Sequence, residues 1–217
     1  MIDNQKIAAL RLSYTHQTLD INEVLPDAMA QFEVWFAEAL QADLLEPNAM
    51  LLATADANGY PSARTVLLKH LDTAGFVFYT NYESRKGQQL AANPHCALVF
   101  SWLPLERQVR IEGKAERVSR EMSAAYFESR PRGSQIGATV SPQSRIIESR
   151  AELEERTAAL EAAFADTETL PLPNDWGGYR VRPTRIEFWQ GRRNRLHDRL
   201  CYTLQPDGSW QIARLAP

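Results

Sequence analysis

Residues 50–71 read MLLATADANGYPSARTVLLKHL, two apolar-rich runs on either side of Asn58-Gly59. An Asn-Gly pair between two such runs is a strong hairpin signal, because both residues accept the positive φ of a tight turn. A period of two then persists to about residue 118. Asp72 to Gly75 marks a second turn into FVFYTN, and HCALVFSW (95–102) is a continuous apolar run, as a buried strand has. In QVRIEGKAE (108–116), Val109, Ile111, Gly113 and Ala115 fall on one side and the polar residues on the other. At least four strands with short connections predict an antiparallel barrel rather than a parallel βαβ fold.

The flanks supply helices. Residues 1–25 are polar and mixed, and are expected to form a mobile N-terminal arm or lid. Pro26 precedes a helix over roughly 27–44, in which Met29, Phe32, Trp35, Phe36, Ala39 and Leu40 make one apolar stripe. A short helix starts near Ser84. Ser119 is the N-cap of another, ended by Pro131. Residues 132–148 read as loop. Ser149 and Glu152 form a capping box for a helix carrying Leu153, Thr157, Leu160 and Phe164. After a connector over 165–178, strands are expected at 179–190 and 196–204, and Pro206-Asp207-Gly208 turns into a last strand. The strands of both halves can share one barrel, so residues 26–217 are read as a single domain and the class as mainly β with helices (α+β).

The chain has 217 residues, 44% of them hydrophobic, enough for a sizeable core. Its net charge of −3 argues against a general nucleic-acid binder, so an anion site has to be local. Cys96 and Cys201 lie in apolar runs and suggest buried thiols in a reducing compartment. No secretory signal and no membrane-length apolar run is visible, and the expected location is the cytoplasm.

Four stretches carry groups suited to chemistry. IEFWQGRRNRLHDR (186–199) reads as strand, turn and strand, with Arg195, His197 and Arg199 at i, i+2 and i+4 and hence on one strand face. Two guanidiniums beside an imidazole suit a planar anion, although a charged outer face is an equal reading of the composition. RTVLLK (64–69) places Arg64 and Lys69 on opposite strand faces unless a bulge intervenes. YTNYESRKG (79–87) puts Tyr79 and Thr80 at a strand end and Ser84, Arg85 and Lys86 at a helix start, where hydroxyls, N–H groups and cations suit a phosphate. Tyr126 and Arg130 share a helical face with Ser134 just beyond, an anion cradle or an ordinary amphipathic surface. No zinc spacing, nucleophile elbow or dinucleotide glycine pattern is present, and no metal site is expected.

These stretches, in their order along the chain, resemble the pyridoxine/pyridoxamine 5'-phosphate oxidases. The C-terminal motif aliphatic-Glu-aromatic-Trp followed by Arg-aliphatic-His-Asp-Arg is met from Ile186 to Arg199, and YFxSRPRxSQIGA from Tyr126 to Ala138. The resemblance implies an FMN-binding split β-barrel, antiparallel and Greek-key-like. It implies a homodimer with FMN at the subunit interface. The implied reaction oxidises pyridoxamine or pyridoxine 5'-phosphate to pyridoxal 5'-phosphate, with O2 as acceptor giving H2O2. FMN contacts are implied for Arg64, Val66, Leu67, Lys69, Tyr79, Thr80, Ser84, Arg85, Lys86, Gln108, Trp189 and Arg199. Gln143 and Ser144 are implied to reach the flavin from the partner subunit. Substrate contacts are implied for Lys69, Tyr126, Arg130 and Ser134, and for Arg195 and His197, which clamp the reacting ring. Arg11 and Tyr14 match a segment that closes over the site. A flavin carrier, or a reductase drawing on NAD(P)H, is the alternative; a carrier has no need for the substrate set beside the flavin set.

Overall fold

The computed structural model describes Tyr14 and residues 17–217. Among the described residues there are five α-helices and nine strands. In chain order these are α1 (Ala28–Gln41), β1 (Ala49–Ala55), β2 (Pro61–Leu67), β3 (His70–Asp72), β4 (Gly75–Asn81), α2 (Arg85–Ala92), β5 (His95–Trp102), β6 (Arg107–Arg117), α3 (Arg120–Glu128), α4 (Arg132–Val140), α5 (Arg150–Ala163), β7 (Trp176–Gln190), β8 (Asp198–Leu204) and β9 (Trp210–Arg214). The strands join one sheet in the order β2-β1-β5-β6-β7-β4-β3, with β8 added on β7 and β9 on β8. The pairs β1–β2, β3–β4, β4–β7, β7–β8 and β8–β9 are antiparallel. The class is the α+β split barrel expected from the sequence.

Strand β7 serves two partners in turn. Trp176–Val181 pairs with β4 and Arg185–Gln190 with β8. Pro183, which has no N–H to donate, falls between the two registers, where its missing donor costs no ladder bond on those partners.

By packing, the described residues divide into two compact units. The first takes those up to Pro47 with Val99–Ile111 and Thr184–Pro217; the second takes Asn48–Leu98 and Glu112–Pro183. In the first, Asp27 caps α1 by accepting from the Ala30 N–H, and the helix buries Met29, Phe32, Trp35 and Ala39. Phe32 meets Phe100 and Trp102, and Trp35 meets Phe188 edge-on. Leu40, expected on the same stripe, is exposed. Arg107 is buried there and fully engaged: it lies over the Trp35 ring and donates to Gln190, Glu38 and Gln17. Of the expected arm, Leu19 is buried and donates its N–H to Asp198, and the Leu25 carbonyl accepts from Tyr202.

In the second unit, Phe127, Ile136, Leu170 and Trp176 form a core cluster. The stretch expected as loop over 132–148 is helical from Arg132 to Val140. Gly133 and Gly137 lowered its apparent propensity, by roughly 1 kcal/mol each. Both face open space, while Gln135 and Ile136 are buried beneath them, and burial of that inner face decides the conformation. Two other expectations shift. The HCALVFSW run is half-buried, with Leu98, Phe100 and Trp102 inside and Ser101 exposed. Strand β7 begins at Trp176, three residues before the expected start.

Candidate active site

The second unit contains a cavity of about 450 Å³. One side comes from the end of β2. Leu67 ends the strand because Leu68 turns inward, its N–H bonded to the Asn48 carbonyl at 2.8 Å. Lys69 lies in the gap before β3 and lines the cavity with Val66 and Leu67. This break answers the strand-parity question: Lys69 reaches the cavity, while the Arg64 side chain is tied to Leu52, Thr54 and Ser62 and is not part of the lining.

A second side comes from β4 and α2. Ser84 caps α2, accepting from the Gly87 N–H and donating to the Asn81 carbonyl, and is fully buried. Its hydroxyl is committed to the protein, so it shapes the helix start rather than facing the cavity. A Cβ on Gly87 would lie 2.1 Å from the Tyr82 carbonyl oxygen, so only glycine lets the helix settle this close. Lys86 Nζ enters the cavity and donates to Gln143 at 2.7 Å and Thr80 at 3.1 Å. Burial, and then the charge of Arg64, bring the Lys86 amine down to about 8. Burial and the neighbouring Arg85 lower Arg64 in turn. Three cations are thus held together in a chain of net charge −3.

The third side is aromatic. Tyr79 stacks on Tyr126 with centroids 3.9 Å apart, and Trp176 continues the stack 5.4 Å from Tyr79. The Arg130 guanidinium lies 5.0 Å from the Trp176 ring centre. Its Nη1 is buried without a hydrogen-bond partner. Burial lowers the Arg130 pKa and raises that of the Tyr126 phenol, and each moderates the other's shift. A buried donor without a partner is costly in a folded protein unless a ligand completes it. Ser134 lines the same cavity.

A second group of expected residues lies in the first unit. Trp189, near the end of β7, meets His197 with ring centres 4.6 Å apart, and Tyr14 packs edge-on against both. The backbone N–H of Arg192 donates to His197 Nδ1 at 3.1 Å, which places the imidazole proton on Nε2. Burial and the Arg195 charge lower the His197 pKa, favouring this neutral form. The expected strand face fails here. Arg193–Arg195 is a 3-10 turn, with Asn194 at φ 57° and Arg195 at φ 60°, and β8 begins only at Asp198. Two successive left-handed residues break the alternation, so Arg195 does not share a strand face with His197 and Arg199. Arg199 is bonded through Nε and Nη2 to the buried Glu187 carboxylate, at 2.8 and 3.1 Å, and through Nη1 to the Ala216 carbonyl. Gln108 is on the outer face of β6, opposite Val109 and Ile111.

A family model for pyridoxamine 5'-phosphate oxidase matches residues 36–164, and one for the pyridoxine 5'-phosphate oxidase C-terminal dimerisation region matches 176–217. A pyridoxine/pyridoxamine 5'-phosphate oxidase of Salinibacter ruber is 58% identical over 213 residues, covering 98% of this chain and 99% of the relative. One of Cupriavidus necator is 56% identical over 212 residues, with 98% and 99% covered. The chain belongs to the pyridoxine/pyridoxamine 5'-phosphate oxidase family. The structure of PhzG from Burkholderia lata, solved with tetrahydrophenazine-1-carboxylic acid, aligns with a TM-score of 0.88 at 28% identity, covering 94% of this chain and all of that one. A Nostoc punctiforme protein described as pyridoxamine 5'-phosphate oxidase-related and FMN-binding shares the fold, with a TM-score of 0.70 at 17% identity over 86% of this chain and 97% of that one.

Of the positions singled out by the oxidase resemblance, Val66, Leu67, Lys69, Tyr79, Thr80, Lys86, Tyr126, Arg130, Ser134 and Gln143 line the one cavity. Gln143 is bonded to Lys86 and Thr80 of its own chain. Ser144 follows it at φ 70° on an exposed loop. Arg85 is exposed beside Arg64. Arg11 lies outside the described residues. Trp176 and Asn81 are also in the lining: Asn81 lies in the YTNYESRKG stretch with no role of its own there, and Trp176 falls in the stretch expected as connector, so that only the stack with Tyr79 gives it a role.

Proposed function

We propose that this chain is an FMN-dependent oxidase converting pyridoxamine 5'-phosphate and pyridoxine 5'-phosphate to pyridoxal 5'-phosphate, with O2 as electron acceptor and H2O2 as by-product. The observation that carries the reading is the cavity itself. It joins Lys86, next to Arg64 and Arg85, with an Arg130 whose buried Nη1 has no partner, beside a flat aromatic stack. Two phosphate esters and flat rings match that donor set.

FMN fits these residues. Arg64, Arg85 and Lys86 hold its phosphate, and Thr80, Tyr79, Val66, Leu67 and Lys69 line its bed. Gln143, Ser144, Gln108, Trp189 and Arg199 complete the flavin contacts, with Ser84 fixing the helix start beneath them. When bound, FMN supplies two-electron redox chemistry at the substrate's 4' carbon, with O2 as the final acceptor. Arg130, Tyr126 and Ser134 grip the substrate phosphate, with Lys69 between the two anions. His197 presents Nε2–H as a donor and Arg195 its guanidinium, so both orient the pyridine ring. Tyr14 and Arg11 cover it. The working form is a homodimer with FMN at the interface, through the C-terminal dimerisation region. Residues 26–217 act as one catalytic domain and 1–25 as an arm. The two unpaired cysteines fit the reducing cytoplasm.

The test is direct. The purified protein should be yellow and release FMN, not FAD, on denaturation. Mixed anaerobically with pyridoxamine 5'-phosphate, its flavin absorbance should bleach and return on admitting O2. A protein that takes up no FMN, or whose flavin bleaches with NADPH and not with the amine, overturns the reading.

A further inference from the structure

Gln89 lies on α2, one turn beyond the helix start that carries Arg85 and Lys86, and is almost wholly buried. Its side chain ends a directed set of hydrogen bonds. Arg64 Nη1 donates to Thr54 Oγ1 and Nη2 to Ser62 Oγ, each at 2.6 Å. A guanidinium only donates, so each hydroxyl receives from Arg64 and must send its own proton elsewhere. Both send it to Gln89 Oε1, Thr54 at 2.7 Å and Ser62 at 2.8 Å. Oε1 is also 3.4 Å from Arg64 Nη2. The register that sets Thr54 opposite Ser62 and Leu52 opposite Arg64 brings the two hydroxyls and the guanidinium together.

A carboxylate at position 89 would accept the same bonds and bind them more strongly. It would also neutralise Arg64. The amide fixes the guanidinium while leaving its charge available. We propose that Gln89 is a positioning residue for the phosphate end of the flavin site, a neutral acceptor that orients Arg64 through Thr54 and Ser62 without cancelling its charge. This rests on the FMN reading above. It makes Gln89 a determinant of preference for the phosphorylated flavin over the same flavin without phosphate. The lowered pKa values of Arg64 and Lys86 agree: burial is the larger cause of each, a cationic neighbour the second, and no acid is among the causes.

The test titrates the full-length apoprotein with FMN and with riboflavin, which differ only in the phosphate, following flavin fluorescence. The wild type should prefer FMN. Gln89→Glu should lower that preference by about tenfold or more while leaving riboflavin affinity unchanged. Gln89→Met, which removes the acceptor without adding charge, should lower it in the same direction and by less. Ser62→Ala interrupts one branch at a half-exposed position and carries the test should the Gln89 variants fail to fold; it too should lower the preference. If FMN and riboflavin affinities fall in parallel, Gln89 is a general scaffold residue and the proposal is wrong. An unchanged preference in Gln89→Glu or in folded Ser62→Ala also overturns it. A wild type that binds flavin with no preference for FMN overturns the phosphate reading and this inference together, so the two failures are distinguishable.

Discussion

At the scale of single residues, folding places two cations where water would not leave them. Lys86 titrates at about 8 in the folded chain, below the 10.5 of a free amine. The unfolded chain therefore binds this proton more tightly, so protonated Lys86 detracts from stability below about pH 8, and stability from this group rises as pH climbs from there toward 10.5. Anion binding has the opposite sign. A phosphate dianion needs the ammonium, so FMN affinity should hold a plateau between about pH 7 and 8 and weaken above it as Lys86 loses its proton. Titrations across that range, repeated with Lys86→Met, check this: the variant should bind weakly and lose the decline above pH 8. Decline of equal slope in both proteins would assign it to another group. Arg130 makes the complementary case. Its Nη1 has no hydrogen-bond partner, so Arg130→Met removes a buried donor that the fold leaves unsatisfied and should cost the fold little beyond the guanidinium's contact with the Trp176 ring. It should instead cut kcat/KM for pyridoxamine 5'-phosphate by roughly ten- to a hundredfold, the value of a charge-assisted contact, with FMN affinity unchanged. A variant that loses flavin but keeps kcat/KM at saturating FMN would move Arg130 from the substrate to the cofactor.

At the scale of elements, what could be read from the sequence was what local chemistry enforces. Ser84, Ser119 and Ser149 cap the helices whose starts they mark in the sequence, because a side-chain oxygen one step before a helix has few other uses. The alternation in β6 appears residue for residue, since it records a single buried face. What could not be read depends on distant partners. Helix α4 forms despite two glycines because Gln135 is clipped from three sides. Its Nε2 donates to the carbonyls of Glu128 and Arg130, and its Oε1 accepts from the Leu170 N–H. Those partners lie in the α3–α4 bend and in the connector to β7, and no period marks them. Likewise Arg195 looked like a strand residue by spacing, and only the left-handed pair Asn194-Arg195 takes it off the strand. Within the candidate site, the motifs marked the cations but not the Trp176 wall or the amide that orders Arg64. The clip gives a prediction. Gln135→Leu leaves buried backbone groups unpaired and should cost about 1–3 kcal/mol, read as a lower unfolding midpoint in urea. Because the Arg130 carbonyl is one of those groups, KM for the substrate should rise with it. A stable variant with unaltered KM would show that the bend holds itself.

At the scale of the whole molecule, the expected site residues fall into two groups. The cavity residues, from Val66 to Trp176, belong to one unit of the chain, and His197, Trp189, Arg199 and Tyr14 to the other. Thr184–Pro217, the last segment of the first unit, lies inside the region matched as a dimerisation region. A symmetric dimer brings a residue of one copy to a different residue of its partner. The proposed homodimer with FMN at its interface predicts that the cavity of one subunit and the His197 group of the other serve one site. Mixing inactive variants decides it. Lys86→Ala disables the cavity and His197→Ala the clamp, and the two purified proteins are unfolded together and refolded at equal concentration. Random pairing makes half of the dimers heterodimers, and in each, one site carries both lesions and the other carries neither. Activity should then recover to about a quarter of wild type, from two nearly silent parents. If each site is completed within its own chain, both sites of the heterodimer keep one lesion and no activity returns. Using Gln143→Ala in place of Lys86→Ala should give the same recovery with His197→Ala, because Gln143 is bonded to Lys86 of its own chain. Pairing Gln143→Ala with Lys86→Ala should give none. Recovery in that last mixture, with subunit exchange verified by differential tagging, would mean that Gln143 acts across the interface.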